Sequence, residues 1–315
     1  MLQARTAALA GASGFLGRRL ASAMQASGWR VRAMVRQPAD ATALAQEGFE
    51  TFLGDLHDPS ALARLTADVE VTINCAGLIK ARDRDDFLAV NRDGAARLAE
   101  AAPGRVVLVS SLAAREPQLS DYAASKRAGE EASRLAAGDR LAIVRPPAIY
   151  GPGDRETLML FRLARRSPVA PLPALPDARL AVAHVDDVAA AIVDVVERST
   201  LAGDYAVGGA RPAGYAWREI MQSAWRAMGR TPWFAPTPGW ALGLAAALSE
   251  AGGSLARSPP IFTRGKAREM LHPDWSVGPD ELAPGGPRAR FGLDDGFADT
   301  VAWYRAAGWL PKPVL

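Results

Sequence analysis

Thr6-Ala7-Ala8-Leu9-Ala10-Gly11-Ala12-Ser13-Gly14-Phe15-Leu16-Gly17 is the segment from which the rest of the chain reads. Its first five residues form an apolar run of strand length, and residues 16–27 carry apolar positions at helical spacing. Three glycines stand at this junction. Without Cβ atoms, Gly11 and Gly14 permit a tight turn and close approach of the backbone to a pyrophosphate, while Gly17 lets the helix pack on the strand. The amides of Ser13, Gly14, Phe15 and Leu16, at the helix N-terminus, then face the negative charge. Strand before and helix after make this a dinucleotide loop, which a bare three-glycine pattern would not.

Outward from this loop, strand-like runs at 30–35, 69–74, 105–109 and 141–145 alternate with helical patterns near 41–46, 87–101 and 122–137. Such alternation predicts βαβ units and a Rossmann-type, doubly wound parallel sheet of the α/β class. After Tyr150 the regularity breaks at Pro152, Pro168, Pro171, Pro173 and Pro176, with a short helical stretch at 157–165. A helix at 187–197 and a strand at 204–207 return to the sheet. The expected organisation is a dinucleotide domain over 1–150, rejoined by 178–208, with a smaller substrate domain from 151–177 and 209–315.

About 20 residues beyond the glycines, the end of the second strand decides how an adenosine ribose is read: a carboxylate takes the 2′-hydroxyl, and a cation takes a 2′-phosphate. Residues 32–37 hold no Asp or Glu and end in Arg36 and Gln37. The expected cofactor is therefore NADP(H), with NAD(H) as the alternative.

Tyr122 and Lys126 lie one helical turn apart and share a face. A phenol of ordinary pKa near 10 is a poor acid-base group at neutral pH, but a neighbouring ammonium and an oxidised nicotinamide favour the phenolate. Tyr122 can then exchange a proton with a carbonyl or alcohol while hydride moves. Five tyrosines and four lysines in 315 residues give an expectation of only about 0.06 chance matches to this spacing. Ser110 and Ser111 end an apolar strand, which delivers them to the sheet rim where ligands bind. One of them polarises the substrate oxygen, with Ser111 favoured, although a serine there can also cap the next segment.

Bulk composition excludes several classes. Apolar residues at 49% and charged residues at 23% describe an ordinary globular chain. A net charge of +3, with the cations dispersed, gives no nucleic-acid footprint. Residues 240–248, the most apolar later stretch, fall far short of the roughly 20 needed to span a bilayer. The single Cys75 closes no intrachain disulfide and reads as a buried thiol. No secretory leader is read and no metal-ligand cluster is expected, so the expected location is cytoplasmic.

Taken together, the glycine loop, Asp55-Leu56, Asn74-Cys75-Ala76-Gly77, Ser110-Ser111, Tyr122-Ala-Ala-Ser-Lys126, Arg145-Pro146-Pro147, Tyr150-Gly-Pro-Gly153, His184-Val-Asp-Asp187 and Tyr205-Ala-Val-Gly-Gly209 resemble the extended short-chain dehydrogenase/reductases, the NAD-dependent epimerase/dehydratase family. The resemblance covers residues 5 to about 210. It implies Asp55 and Leu56 at the adenine, Ala76 and Gly77 along the cofactor, Asn91 beneath the active site, and Pro146 to Ile149 beside the nicotinamide. It also implies Tyr122 as acid-base, Lys126 on the nicotinamide ribose, Ser111 orienting the substrate, and structural roles for His184 and Asp187. A homodimer through 87–101 and 122–137 is a further family expectation.

Where dehydratases of this family carry Thr-Asp-Glu, this chain has Ser111-Leu112-Ala113, and it lacks the epimerase asparagine within Arg145–Ala148. The run Val-Arg-Ala-Met-Val-Arg36 is more similar to dihydroflavonol reductases and hydroxysteroid dehydrogenases. The leading expectation is an NADP(H)-dependent oxidoreductase interconverting a carbonyl and an alcohol on a moderately apolar small molecule. The alternatives are a sugar-nucleotide epimerase and a non-catalytic NAD(P)-binding subunit. Trp217, Trp225, Trp233, Phe234 and Trp240 read either as core or as an apolar pocket.

Overall fold

The computed structural model describes residues 5–198, 202–256, 260 and 262–312. Seven strands form one parallel sheet: β1 (Thr6–Ala10), β2 (Arg30–Val35), β3 (Glu50–Leu53), β4 (Val71–Asn74), β5 (Arg105–Val109), β6 (Leu141–Arg145) and β7 (Gly203–Ala206), in the order β7-β6-β5-β4-β1-β2-β3. The order reverses between β1 and β4, and the crevice beyond their C-terminal ends is where this architecture binds ligands.

Side-chain alternation explains why helices cover both faces. Ala7 and Leu9 of β1, with Val107 and Val109 of β5, pack against Leu16, Leu20 and Met24 of the helix Phe15–Ala26 and Val188 and Ile192 of the helix Val185–Glu197. Ala8 and Ala10 point the other way, onto Leu62 and Leu65 of Pro59–Thr66 and Leu98 of Ala95–Ala101. Val106 and Leu108 meet Ala95, Ala99 and Ile143 on that second face. Buried on both sides, the strands read as continuous apolar runs.

The expected helix over 87–101 is interrupted. An α-helical turn, Arg84–Leu88, passes into a π-helical segment, Ala89–Gly94, and then into Ala95–Ala101. The strand β3 and the helix Pro59–Thr66 were not read from the sequence. Pro59 at the first turn and Asp58, whose carboxylate accepts from the N–H groups of Ser60 and Ala61, mark the start of that helix.

A second apolar cluster lies in the C-terminal part, built on Phe161, Tyr215, Trp225, Phe297 and Tyr304. Aromatic rings meet edge to face there, Tyr150 on Phe297 at 4.9 Å and Phe161 on Phe297 at 5.3 Å between centroids. Trp225 is fully buried and its indole N–H donates to the Ser167 carbonyl, which makes it core. Trp233 and Trp240 lie on the surface, so these two tryptophans line no interior pocket. Among the described residues no helix is long and apolar enough to cross a membrane.

Candidate active site

A cleft of about 300 Å³ opens at the switch point, lined by Gly11, Ser13, Gly14, Arg36, Asp55, Leu56, His57, Cys75, Ala76 and Gly77, among others. Gly11 has φ +86°, and a Cβ there would lie 2.6 Å from the backbone nitrogen of Ala76. A Cβ on Gly17 would come 1.9 Å from the Gly11 carbonyl oxygen, so helix and loop touch backbone to backbone. This is a cradle that side chains would fill, and its shape suits a dinucleotide.

Other expected residues serve the cleft from behind. Leu16 is buried in the core, and Phe15 faces Gly153. The Pro146 carbonyl accepts from the Leu112 N–H, and Ile149 packs against the main core; neither reaches the described cleft wall. Burial pushes the Cys75 thiol up to about 12, so it stays protonated and unreactive.

Arg36 is exposed at the cleft rim and has no carboxylate partner among the described residues. Its neighbours are engaged: Arg32 pairs with Glu50 at 2.7 Å and Arg18 with Glu47 at 3.2 Å. His57, which sequence reading passed over, lines the same end and accepts from Arg97 through Nδ1 at 2.8 Å.

The strand end of β5 separates the two serines. Ser110 is buried with its hydroxyl unpartnered, whereas Ser111 caps the short helix Leu112–Arg115 by accepting from the Ala113 N–H at 3.2 Å. The Ser111 hydroxyl also interacts with the Tyr122 phenol. With a lone pair committed to Ala113, its proton is free to point toward a substrate oxygen.

Tyr122 and Lys126 emerge from the helix Asp121–Ala137, capped by Ser120. Lys126 is buried and donates to the Val109 carbonyl at 2.8 Å, and a Cβ on Gly77 would lie 3.6 Å from its Nζ. That places the ammonium between the strand end and the cleft floor. Burial lowers it to about 8, against the opposing pull of Cys75 and Glu130. Burial pushes the Tyr122 phenol up to about 12, the Ser111 hydroxyl offsets part of this, and the Glu269 carboxylate adds to it. Desolvation is the largest of the three causes and favours the neutral phenol.

Several supports surround these residues, of which Glu130 and Glu269 were not read from the sequence. Asn91, on the π-helical segment, accepts from the Leu78 N–H at 2.8 Å and donates to the Leu78 carbonyl at 3.0 Å and to Ser125 Oγ at 2.9 Å, tying the cleft loop to the helix Asp121–Ala137. Glu130, one turn beyond Lys126, is buried and takes Arg145 in a two-pronged pair at 2.8 and 2.6 Å. Glu269 accepts from Ser120 across the junction with the C-terminal part. His184 accepts from the Asp186 N–H while stacked on Phe291, and Asp187 accepts from the N–H groups of Arg290 and Phe291.

Fold and site together define a nicotinamide-dependent α/β enzyme. The model of the NAD dependent epimerase/dehydratase family matches residues 7–208, and the chain belongs to that family, within the extended short-chain dehydrogenase/reductases. It is 50% identical over 311 residues to a protein named ceramide reductase from Caulobacter vibrioides, covering 98% of this chain and 97% of that one. A protein named sterol demethylase protein B, from Methylococcus capsulatus, is 32% identical over 173 residues, 47% of this chain and 53% of that one. Among solved structures, gox2253 superposes with a TM-score of 0.76 at 24% identity, covering 97% and 99% of the two chains. The Bordetella bronchiseptica enzyme WbmH, solved in complex with NAD+, does so with a TM-score of 0.70 at 17% identity, covering 96% and 99%.

Proposed function

We propose that this enzyme is an NADP(H)-dependent reductase of a ketone on the long-chain backbone of a ceramide-type lipid. The observation that carries the chemistry is the buried Lys126 ammonium, held on the Val109 carbonyl at the cleft floor one helical turn from Tyr122, with Ser111 at the end of the same strand. The substrate class comes from the half-identical relative named ceramide reductase, matched along nearly its whole length. Absence of the dehydratase acid pair and of the epimerase asparagine supports net reduction over the epimerase alternative.

The glycine loop would hold the pyrophosphate of the cofactor, Arg36 its 2′-phosphate, and Lys126 the nicotinamide ribose. When bound, the reduced nicotinamide supplies hydride. Ser111 donates a hydrogen bond to the ketone oxygen and orients it. Tyr122 donates its proton to that oxygen as negative charge develops there, and Lys126, cationic below about pH 8, stabilises the phenolate left behind.

Purified protein with NADPH and a detergent-dispersed keto-ceramide is expected to consume the nicotinamide absorbance and yield one equivalent of the alcohol. Tyr122→Phe should lower kcat by about 10²–10⁴-fold with NADPH affinity retained. Isomerised substrate without net nicotinamide change would establish the epimerase reading, and normal turnover by Tyr122→Phe would remove the tyrosine from the chemistry.

A further inference from the structure

The helix Gly239–Ala256 leaves one face without a protein partner among the described residues. Trp240, Leu244 and Leu248 recur every fourth residue along it and are 73%, 54% and 66% exposed. Ala245, Ala251 and Gly252 complete the exposed face, the opposite side carries the buried Ala246, and residues 239–249 include no charged side chain. Trp233, at the start of the strand Trp233–Thr237 leading into this helix, is 77% exposed. An aligned, uncharged stripe of indole and isobutyl groups is a surface that water disfavours.

What flanks the stripe selects its occupant. The helix Arg264–Met270 presents Arg264, Lys266 and Arg268 to solvent; Arg264 pairs with Glu250 at 3.5 Å and Lys266 with Glu269 at 3.1 Å, which leaves Arg268 without a carboxylate partner among the described residues. It packs on the stripe-bearing helix: Glu250 accepts from the Arg264 N–H at 2.7 Å, Ser249 accepts from the Phe262 N–H at 3.0 Å, and Leu271 packs on Gly239. The same short helix reaches the active site. Gly265 lies so close to Ser120 that a Cβ there would stand 2.7 Å from the serine Cβ, and Ser120 caps the catalytic helix two residues before Tyr122. Tryptophan at an apolar face rimmed by cations matches the interfacial layer of an anionic bilayer, where indole sits at headgroup level and Lys and Arg meet phosphate. A two-fold contact with a second copy would instead bring like-charged margins toward each other.

We infer that the Trp240–Leu244–Leu248 face docks this enzyme on an anionic membrane surface, one helix away from Tyr122. The inference rests on the lipid-substrate reading above: a two-chain lipid is insoluble in water, and docking beside the site shortens its transfer from the bilayer. The helix lies in the interface and does not span.

The test is sedimentation of the full chain with phosphatidylcholine vesicles, with and without phosphatidylglycerol and free of any ceramide. The wild-type protein is expected to bind the phosphatidylglycerol vesicles more tightly, less so at high salt. The Trp240→Ser/Leu244→Ser/Leu248→Ser variant should lose about tenfold or more of that binding, and Trp240→Ser alone a smaller part. Unchanged NADPH affinity and melting temperature would show that both variants fold. No vesicle binding by the wild type, or equal binding by the triple variant, overturns the inference. So does conversion of a dimer to a monomer by the triple variant without change in vesicle binding, which assigns the stripe to a second copy. Because the vesicles hold no substrate, docking without turnover supports this inference and overturns the substrate reading alone, while turnover without docking does the reverse.

Discussion

The proposed NADP(H) preference predicts that exchanging Arg36 for Asp turns the enzyme toward NAD(H). The guanidinium stands at the cleft rim beside a loop carrying Asp55 and His57, and no carboxylate among the described residues neutralises it. Two unit charges 4 Å apart interact by about 1 kcal/mol in water and about 4 kcal/mol at an effective dielectric constant of 20. Arg36 is exposed, which favours the lower end, but a 2′-phosphate carries a charge of about −1.5 to −2. A contribution of about 2 kcal/mol follows, equivalent to about 30-fold in Kd. Arg36→Ala should therefore weaken NADPH by about 30-fold and leave NADH within about threefold. Arg36→Asp adds repulsion of similar size, taking the NADPH loss beyond about 100-fold, and offers NADH a carboxylate acceptor for the ribose 2′-hydroxyl. Isothermal titration of each protein with both reduced cofactors measures this, and the NADPH advantage should shrink as salt is added. Equal weakening of NADPH and NADH, or a wild-type protein that binds NADH more tightly, would refute the assignment of Arg36.

Lys126→Met should raise stability near pH 7 while abolishing turnover. Burial holds the lysine near 8, below its ordinary 10.5, so the penalty for burying the ammonium is full below pH 8 and fades as pH rises toward 10.5. Allowing for the lost bond to Val109, the gain is about 2 kcal/mol at pH 7, and melting curves at pH 7 and pH 10 should show it falling below about 1 kcal/mol. Arg145→Met leaves Glu130 buried and unpaired, and urea unfolding should show a loss of about 3–5 kcal/mol; a loss under 1 kcal/mol would mean that the pair is not desolvated. Glu269→Gln removes a charge that holds the Tyr122 phenol up, so the pH profile of alcohol oxidation should move to lower pH by less than about one unit. An unmoved profile would leave Glu269 as a structural partner of Ser120 only.

Local rules made the fold legible. Thr6–Gly17 announces strand, turn and helix in one line, and the apolar runs of β4, β5 and β6 repeat the pattern at the spacing of crossover units. β3 was obscured because only four residues form it, two of them exposed, so neither alternation nor a continuous apolar run appears. The π-helical segment Ala89–Gly94 was invisible because it answers a tertiary demand: Asn91 must reach both Leu78 and Ser125. The candidate catalytic positions Ser111, Tyr122 and Lys126 were read as residue types at a spacing. Their electrostatic state was not, since the neutrality of Tyr122 depends on burial and on Glu269, nearly 150 residues away in the chain.

That dependence bears on the direction of reaction. In the proposed reduction, a tyrosine raised to about 12 holds its proton throughout the neutral range and can give it to a ketone oxygen, whereas oxidation of an alcohol would need the phenolate first. Lys126, lowered to about 8, keeps its charge on the acid side of that value, so in the proposed mechanism turnover should fall as pH rises through it. Both shifts come mainly from burial, and the C-terminal part adds to that of Tyr122 through Glu269, laid against Ser120 at the start of the helix Asp121–Ala137. The part of the chain that carries the apolar stripe therefore also bears on the Tyr122 phenol through Glu269, and in the proposed reading the short helix Arg264–Met270 links the docking face to the proton donor.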